Sequence, residues 1–257
     1  MEEWLRVKSH RQIGNKIFCM AMESSKISQM AHSGQFIHLL CGKEYGALLR
    51  RPFSLSSIDK KKQEISIIYR VQGKGTQSLC RMEEGDKIHA LGPLGQGFFL
   101  NPTYKNIAVV GGGMGIAPLM EIIKYYGGRA RVYLGFGEQP IEIEEIKKYT
   151  GEISITVEKG NLGKKGFVTA GLAEQWKEKP PEIVYSCGPR SMMKEVASIC
   201  EKLDISCQVS MEERMGCGVG ACLVCSCKTK KKDQKNLYSR VCKEGPVYWR
   251  EEVIWDE

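Results

Sequence analysis

Apolar residues recur along this chain in two different rhythms. From residue 1 to about 100 they come in short runs, Lys16 to Met22, Gly34 to Cys41, Pro52 to Ile58 and Glu64 to Val71, broken by clusters of Gly, Ser, Asp and Lys. Short runs at such intervals predict the strands and turns of a small antiparallel barrel. Gly75 to Met82 reads as a helix, and Gly85-Asp86 turns the chain into a further strand, Lys87 to Leu91. After the glycine-rich Gly92 to Gly97 the rhythm changes. Ile107 to Val110 is the kind of β-branched run that a parallel sheet buries, and glycines and a helix-length segment, Ile116 to Tyr126, follow it. Strand signals recur at Arg131 to Phe136, Ile153 to Val157 and Ile183 to Ser186, alternating with helix-like stretches at Ile141 to Tyr149, Gly171 to Lys177 and Arg190 to Leu203. That alternation predicts a parallel α/β domain. The chain from about Met211 onward is too short to bury a core of its own and needs a bound group to order it. The expected division is therefore a β-barrel over 1–100, an α/β domain over 101–210 and a small C-terminal domain over 211–257.

Composition narrows the functional class. With 257 residues, 42% hydrophobic and 26% charged, the chain has the profile of an ordered globular protein. The N-terminus, Met1-Glu2-Glu3-Trp4, has no apolar signal region, and no stretch approaches eighteen apolar residues. The expectation is a cytoplasmic protein without a membrane span. The net charge of +8 does not point to nucleic acid. Its densest runs, Lys60 to Lys62 and Lys228 to Lys235, have no interleaved aromatics and read as solvated turns.

Eleven cysteines without an export signal argue against a disulfide framework. Cys19, Cys41, Cys80, Cys200 and Cys207 read as ordinary buried or half-buried thiols. Four others, Cys217, Cys222, Cys225 and Cys242, follow the spacing C-x4-C-x2-C with a fourth after sixteen intervening residues. That is the plant-type [2Fe-2S] spacing. The glycines of Gly216-Cys217-Gly218-Val219-Gly220-Ala221-Cys222 permit a tight loop whose amides approach the sulfurs. Zinc is the alternative, but zinc ribbons favour paired C-x2-C knuckles and need no glycine at every second position. Cys227 lies close enough to replace Cys225, although the spacing favours Cys225.

Gly111-Gly112-Gly113-Met114-Gly115 follows a predicted strand and opens a predicted helix, the placement a pyrophosphate requires. It departs from G-x-G-x-x-G in having Ile116 at the third glycine. Cys187-Gly188-Pro189 closes the last strand of the α/β domain, where ligands of open sheets bind. This places Cys187 as a candidate for a nicotinamide pocket, or as a small packing residue. After the second α/β strand, Gly135-Phe136-Gly137-Glu138-Gln139 offers an acid but no base for a 2′-phosphate, which favours NAD over NADP with Glu138 as a ribose contact. In the barrel, Arg51-Pro52-Phe53-Ser54, Ile68-Tyr69-Arg70 and Gly75-Thr76 allow two readings. They form either a pyrophosphate clamp with ring-packing aromatics, or barrel core with surface charges.

The order of these motifs resembles the ferredoxin reductase superfamily, which pairs an FAD-binding barrel with an NAD(P)-binding α/β domain. The tail, Glu212 to Cys222 with Val241-Cys242-Lys243-Glu244-Gly245-Pro246-Val247, closely resembles the electron-transfer subunits of NAD-dependent bacterial dihydroorotate dehydrogenases. The resemblance covers essentially the whole chain. It implies that Arg51, Pro52, Phe53, Ser54, Ile68, Tyr69, Arg70, Gly75 and Thr76 contact FAD, and that Cys217, Cys222, Cys225 and Cys242 hold the cluster. It also implies a partner, an FMN-containing catalytic subunit that oxidises dihydroorotate, in a heterotetramer of two copies of each subunit, with a role in pyrimidine biosynthesis. The small subunit of the electron-bifurcating NADH-dependent ferredoxin:NADP oxidoreductase shares the layout but typically has aspartate as the first cluster ligand, which Cys217 argues against. Two rivals stand beside this reading: a subunit of another flavin-linked redox complex, and a zinc-binding interaction module.

Overall fold

The computed structural model describes residues 1–42, 48–230 and 238–255. Lys231 to Lys235 of the lysine-rich run lie outside the described residues. The described chain gathers into two compact units, one of 1–98 with 212–227 and 238–246, the other of 99–211 with the described parts of 228–237 and 247–257.

The first unit is built on six strands, β1 (Glu2–Gly14), β2 (Ile17–Glu23), β3 (Phe36–Leu39), β4 (Arg51–Asp59), β5 (Glu64–Arg70) and β6 (Lys87–Leu94). They close an antiparallel barrel in the order β1-β2-β5-β4-β3-β6. Two short helices, α1 (Ile27–Met30) and α2 (Lys74–Leu79), fill the connections. Strand alternation sends Leu5, Val7, Met20, Met22, Ile37, Leu39, Leu55, Ile65 and Ile67 into one core. Each such side chain contributes about 1.5–3 kcal/mol by leaving water.

The longest strand, β1, is absent from the hydrophobic pattern. Only Leu5 and Val7 mark its inward face, and the polar run Ser9-His10-Arg11-Gln12 hides the rest. Its first half pairs with β6 and its second with β2, so this one strand closes the barrel. Tertiary pairing overrides a weak local signal there.

The second unit holds a seven-stranded sheet in the order β10-β9-β8-β7-β11-β12-β15. Its strands are β7 (Ile107–Gly112), β8 (Ala130–Phe136), β9 (Ile153–Val157), β10 (Lys164–Lys165), β11 (Ile183–Cys187) and β12 (Ser206–Ser210), all parallel, with β15 (Val247–Trp249) antiparallel on β12. The accompanying helices are α3 (Ile116–Tyr126), α4 (Ile143–Lys147), α5 (Leu172–Glu178) and α6 (Arg190–Lys202). The central strands are buried along their length, as expected of a sheet covered on both faces. A last two-stranded sheet, β13 (Ser226–Lys228) with β14 (Tyr238–Arg240), follows the cysteine loop. No helix among the described residues is long and apolar enough to cross a membrane.

Candidate functional site

Between Glu212 and Ser226 the chain makes a loop around its own sulfurs. Backbone N–H groups of Val219, Ala221 and Cys222 donate to Cys217 Sγ at 3.4, 3.3 and 3.4 Å, and the Cys217 N–H donates to Cys222 Sγ at 3.4 Å. The Cys242 N–H donates to Cys225 Sγ at 3.4 Å. The thiols thus form two pairs, Cys217 with Cys222 and Cys225 with Cys242. Among the described residues no three His, Cys, Asp or Glu converge as they would on a single ion. Two pairs of thiolates are what the two irons of a [2Fe-2S] rhomb take. Cys227 is buried in β13.

The two pairs differ in environment. Burial pushes the Cys217 thiol up, but the amides of Val219, Cys222 and Ala221 and the Cys222 thiol outweigh it and bring it down to about 6. Burial and then the neighbouring Cys225 thiol push Cys242 up to about 12. Cys222 is exposed, with Val219, Leu223 and Val224 exposed around it, whereas Cys225 and Cys242 are only 2% and 3% exposed. The loop therefore has a solvent-facing pair and an inward pair. Arg240 ties it down, donating from one guanidinium nitrogen to the Gly220 carbonyl at 2.7 Å while pairing with Glu244.

The inward side rests on the outer face of β3. Ile37 and Leu39 point into the barrel core, while the alternate residues Phe36 and His38 do not. Gly218, at φ +74°, lies so close to His38 that a Cβ there would fall 2.6 Å from Nδ1. Gly245 accepts from the Gln96 N–H at 2.6 Å, holding the returning segment beside the end of β6. His38 is fully buried, and neither ring nitrogen has a hydrogen-bond partner among the described residues. Sulfur-only donors in two pairs, amides aimed at those sulfurs and an orphaned buried imidazole beside the loop fit an iron-sulfur group.

Of the barrel motifs, Arg51 lies beside the start of α2, where a Cβ on Gly75 would stand 3.3 Å from its Cγ. The Thr76 hydroxyl closes the turn before α2, accepting from Gln72 and Gly73 N–H at 2.9 and 3.1 Å. Phe53 and Tyr69 meet edge to face in the barrel core, 5.7 Å between centroids, and the Tyr69 hydroxyl lies 2.9 Å from His10 Nε2. Pro52 and Ser54 pair across strands with His38 and Phe36, on the same outer face as the cysteine loop. Ile68 is buried and Arg70 exposed on β5.

In the second unit, β7 and β11 are neighbours while β8 lies on the other side of β7. The two motifs flank the point where strand order reverses, the usual crevice of a doubly wound sheet. Gly111 is in register with Cys187, so Gly111-Gly112-Gly113-Met114-Gly115 and Cys187-Gly188-Pro189 meet at the carboxyl ends of their strands. A Cβ on Gly115 would fall 2.2 Å from the Cys187 carbonyl oxygen. Glu138 is exposed just beyond β8.

Residues 212–254 match the model of the iron-sulfur cluster binding domain of dihydroorotate dehydrogenase B. The electron transfer subunit of dihydroorotate dehydrogenase B (NAD(+)) from Caldanaerobacter subterraneus subsp. tengcongensis is 40% identical over 252 residues, 97% of each chain. The chain belongs to this family. The electron transfer subunit from Desulforamulus reducens is 35% identical over 93% of each chain. Among solved structures, the NADH-dependent reduced ferredoxin-NADP oxidoreductase, a flavin-based electron-bifurcating protein, superposes with a TM-score of 0.83 at 25% identity, covering 98% of this chain and 90% of its own. Membership makes this chain an oxidoreductase subunit with an iron-sulfur domain, and it implies a catalytic partner subunit.

Two electron-transfer-subunit features escape sequence reasoning. Arg240 belongs to no motif, yet at the end of β14 its guanidinium reaches the Gly220 carbonyl and pairs with Glu244. His38 had one signal, a polar residue inside the apolar run Phe36-Ile37-His38-Leu39, but nothing local says what would face it.

Proposed function

We propose that this chain takes electrons one at a time at the cluster site of Cys217, Cys222, Cys225 and Cys242 and delivers them in pairs to NAD+ by way of FAD. The donor is an FMN-containing catalytic subunit that oxidises dihydroorotate, in the cytoplasm and in an assembly with two copies of each subunit. A flavin, when bound, exchanges both single electrons and hydride, so it joins a one-electron centre to a two-electron nicotinamide. The observation that carries this reading is the pairing of the four thiols, three on a loop and Cys242 on the returning segment, with one pair toward solvent and the other buried.

The residues divide the work by position. Val219, Leu223 and Val224 offer an apolar rim, fitted to a partner surface, around the exposed Cys222. Arg51, Pro52, Phe53, Ser54, Ile68, Tyr69, Arg70, Gly75 and Thr76 hold FAD on the barrel. Gly111, Gly112, Gly113 and Gly115 admit the NAD pyrophosphate to the backbone, Cys187, Gly188 and Pro189 border the nicotinamide, and Glu138 meets the adenosine ribose. No side chain acts as an acid or base in this reading.

The test is anaerobic purification with iron, zinc and flavin quantification and EPR after dithionite reduction. About two irons and one FAD per chain with an S = 1/2 signal support the proposal. Zinc without flavin overturns it in favour of an interaction module.

A further inference from the structure

His38 is isolated in a way the other described histidines are not. His10 has Met82 O at 2.8 Å on one nitrogen and the Tyr69 hydroxyl at 2.9 Å on the other, and His89 lies 2.6 Å from an Arg50 guanidinium nitrogen. The His38 ring is fully buried with both nitrogens lacking a partner among the described residues. Burying a polar group without a hydrogen bond is unfavourable, so such a group in a folded protein points to a missing partner. Gly218 packs against this ring: a Cβ there would fall 2.6 Å from Nδ1 and 2.7 Å from Cε1, so a side chain would wedge the ring away. Gly218 is adjacent to Cys217 and lies within the loop whose amides turn toward the sulfurs.

We propose that the His38 imidazole donates a hydrogen bond to the sulfur shell of the cluster held by Cys217, Cys222, Cys225 and Cys242, and so sets how readily that cluster accepts an electron. This rests on the reading of those cysteines as [2Fe-2S] ligands. Burial, with the Arg50 and Arg51 guanidinium groups, holds the imidazole well below its ordinary pKa, at about 4. At neutral pH the ring therefore offers one N–H donor and no charge. A donor aimed at cluster sulfur stabilises the more negative reduced state and raises the reduction potential. His38 acts here as a positioning residue and exchanges no electron or proton itself.

The test is an EPR-monitored redox titration of the whole chain and of His38→Leu and His38→Asn, with ESEEM spectroscopy of the reduced wild type labelled with 15N-histidine. His38→Leu lowers the cluster midpoint, shifting the reduced-to-oxidised ratio at a fixed potential about tenfold, which is about 59 mV for one electron. His38→Asn places an amide N–H where Nδ1 stood and restores most of the shift, while the flavin midpoint stays put in both variants. The wild-type cluster shows a weak 15N coupling that His38→Asn removes. An unchanged midpoint in His38→Leu overturns the proposal, as does a shift of the flavin midpoint alone. If His38→Leu does not assemble a cluster, the wild-type coupling decides, and its absence overturns the proposal. A wild type without iron or an S = 1/2 signal overturns the ligand reading itself and this proposal with it.

Discussion

Gly115 and Cys187 touch backbone to backbone: a Cβ on Gly115 would fall 2.2 Å from the Cys187 carbonyl oxygen. The glycine loop after β7 and the end of β11 are thus one structure, although seventy-one residues of sequence lie between Gly115 and Cys187. Gly115→Ala forces them apart, an overpacking cost of about 1–3 kcal/mol. The expected result is at least tenfold weaker NADH binding by titration calorimetry, with iron and flavin content unchanged. Undiminished affinity would show that the contact does not shape the nucleotide site.

Cys222 is the exposed member of its thiol pair. Cys222→Ser is expected to reduce cluster iron and to abolish NADH formation linked to dihydroorotate oxidation, while NADH:dye reduction through FAD persists. A variant that keeps both activities and a full iron content would remove Cys222 from the ligand set.

Leu223 stands 61% exposed beside that pair. Leu223→Asp leaves folding stability within about 0.5 kcal/mol, as is usual for an exposed site, and weakens association with the catalytic subunit. Size-exclusion chromatography of the mixed subunits reads the association, and an unaltered visible spectrum controls for the cluster. Unchanged co-elution would move the docking surface elsewhere.

Glu3 supports the start of α1 with four donors, Ser24 and Ser25 hydroxyls and the N–H groups of Lys26 and Ile27, at 2.8–3.0 Å. Burial raises its carboxyl pKa, but those hydrogen bonds outweigh it, and the net value falls below the ordinary one. The unfolded chain therefore takes up the proton first as pH drops. Stability from Glu3 is present above about pH 4.5, the ordinary carboxyl range, and is lost as pH falls through the lower folded value. Glu3→Gln should cost about 1–2 kcal/mol at pH 7, the scale of a lost cap, and the difference from wild type should close on acidification. Urea unfolding at a series of pH values measures it, and a pH-independent gap would contradict the assignment.

Glu138 extends from the loop after β8, exposed and with no Arg or Lys immediately beside it in sequence. Glu138→Ala should weaken NADH binding about tenfold, the value of a hydrogen bond to a charged group, and raise the relative preference for NADPH. Equal affinities for NADH before and after the change would exclude a ribose contact.

Much of the architecture was legible because it rests on local signals. The β-branched run Ile107 to Val110 and the glycines after it lie where expected, at β7 and the start of α3. So does the strand that ends at Cys187. The four cysteines were legible from spacing, since a loop that wraps a cluster closely needs small residues at fixed intervals. By contrast, β1 was invisible because only two of its thirteen residues, Leu5 and Val7, point into the core. β12 was missed although four of its five residues are buried, because Ser206, Gln208 and Ser210 break its apolar pattern, and β15 is only three residues long. The edge-to-face contact of Phe53 and Tyr69 in the barrel carried no local signal, since only the closure of the strands brings the two rings together.

Sequence alone determined the family and the cofactor classes and singled out four cysteines by their spacing, because spacing and residue type are properties of the chain's covalent order. Tertiary structure decided which thiols pair, which pair faces solvent and what lies behind the loop. His38 and Gly218 are 180 residues apart, yet β3 and the cysteine loop bring ring and backbone into contact. No periodicity encodes such a meeting, because it depends on the closure of the barrel and the return of the C-terminal segment across its outer face.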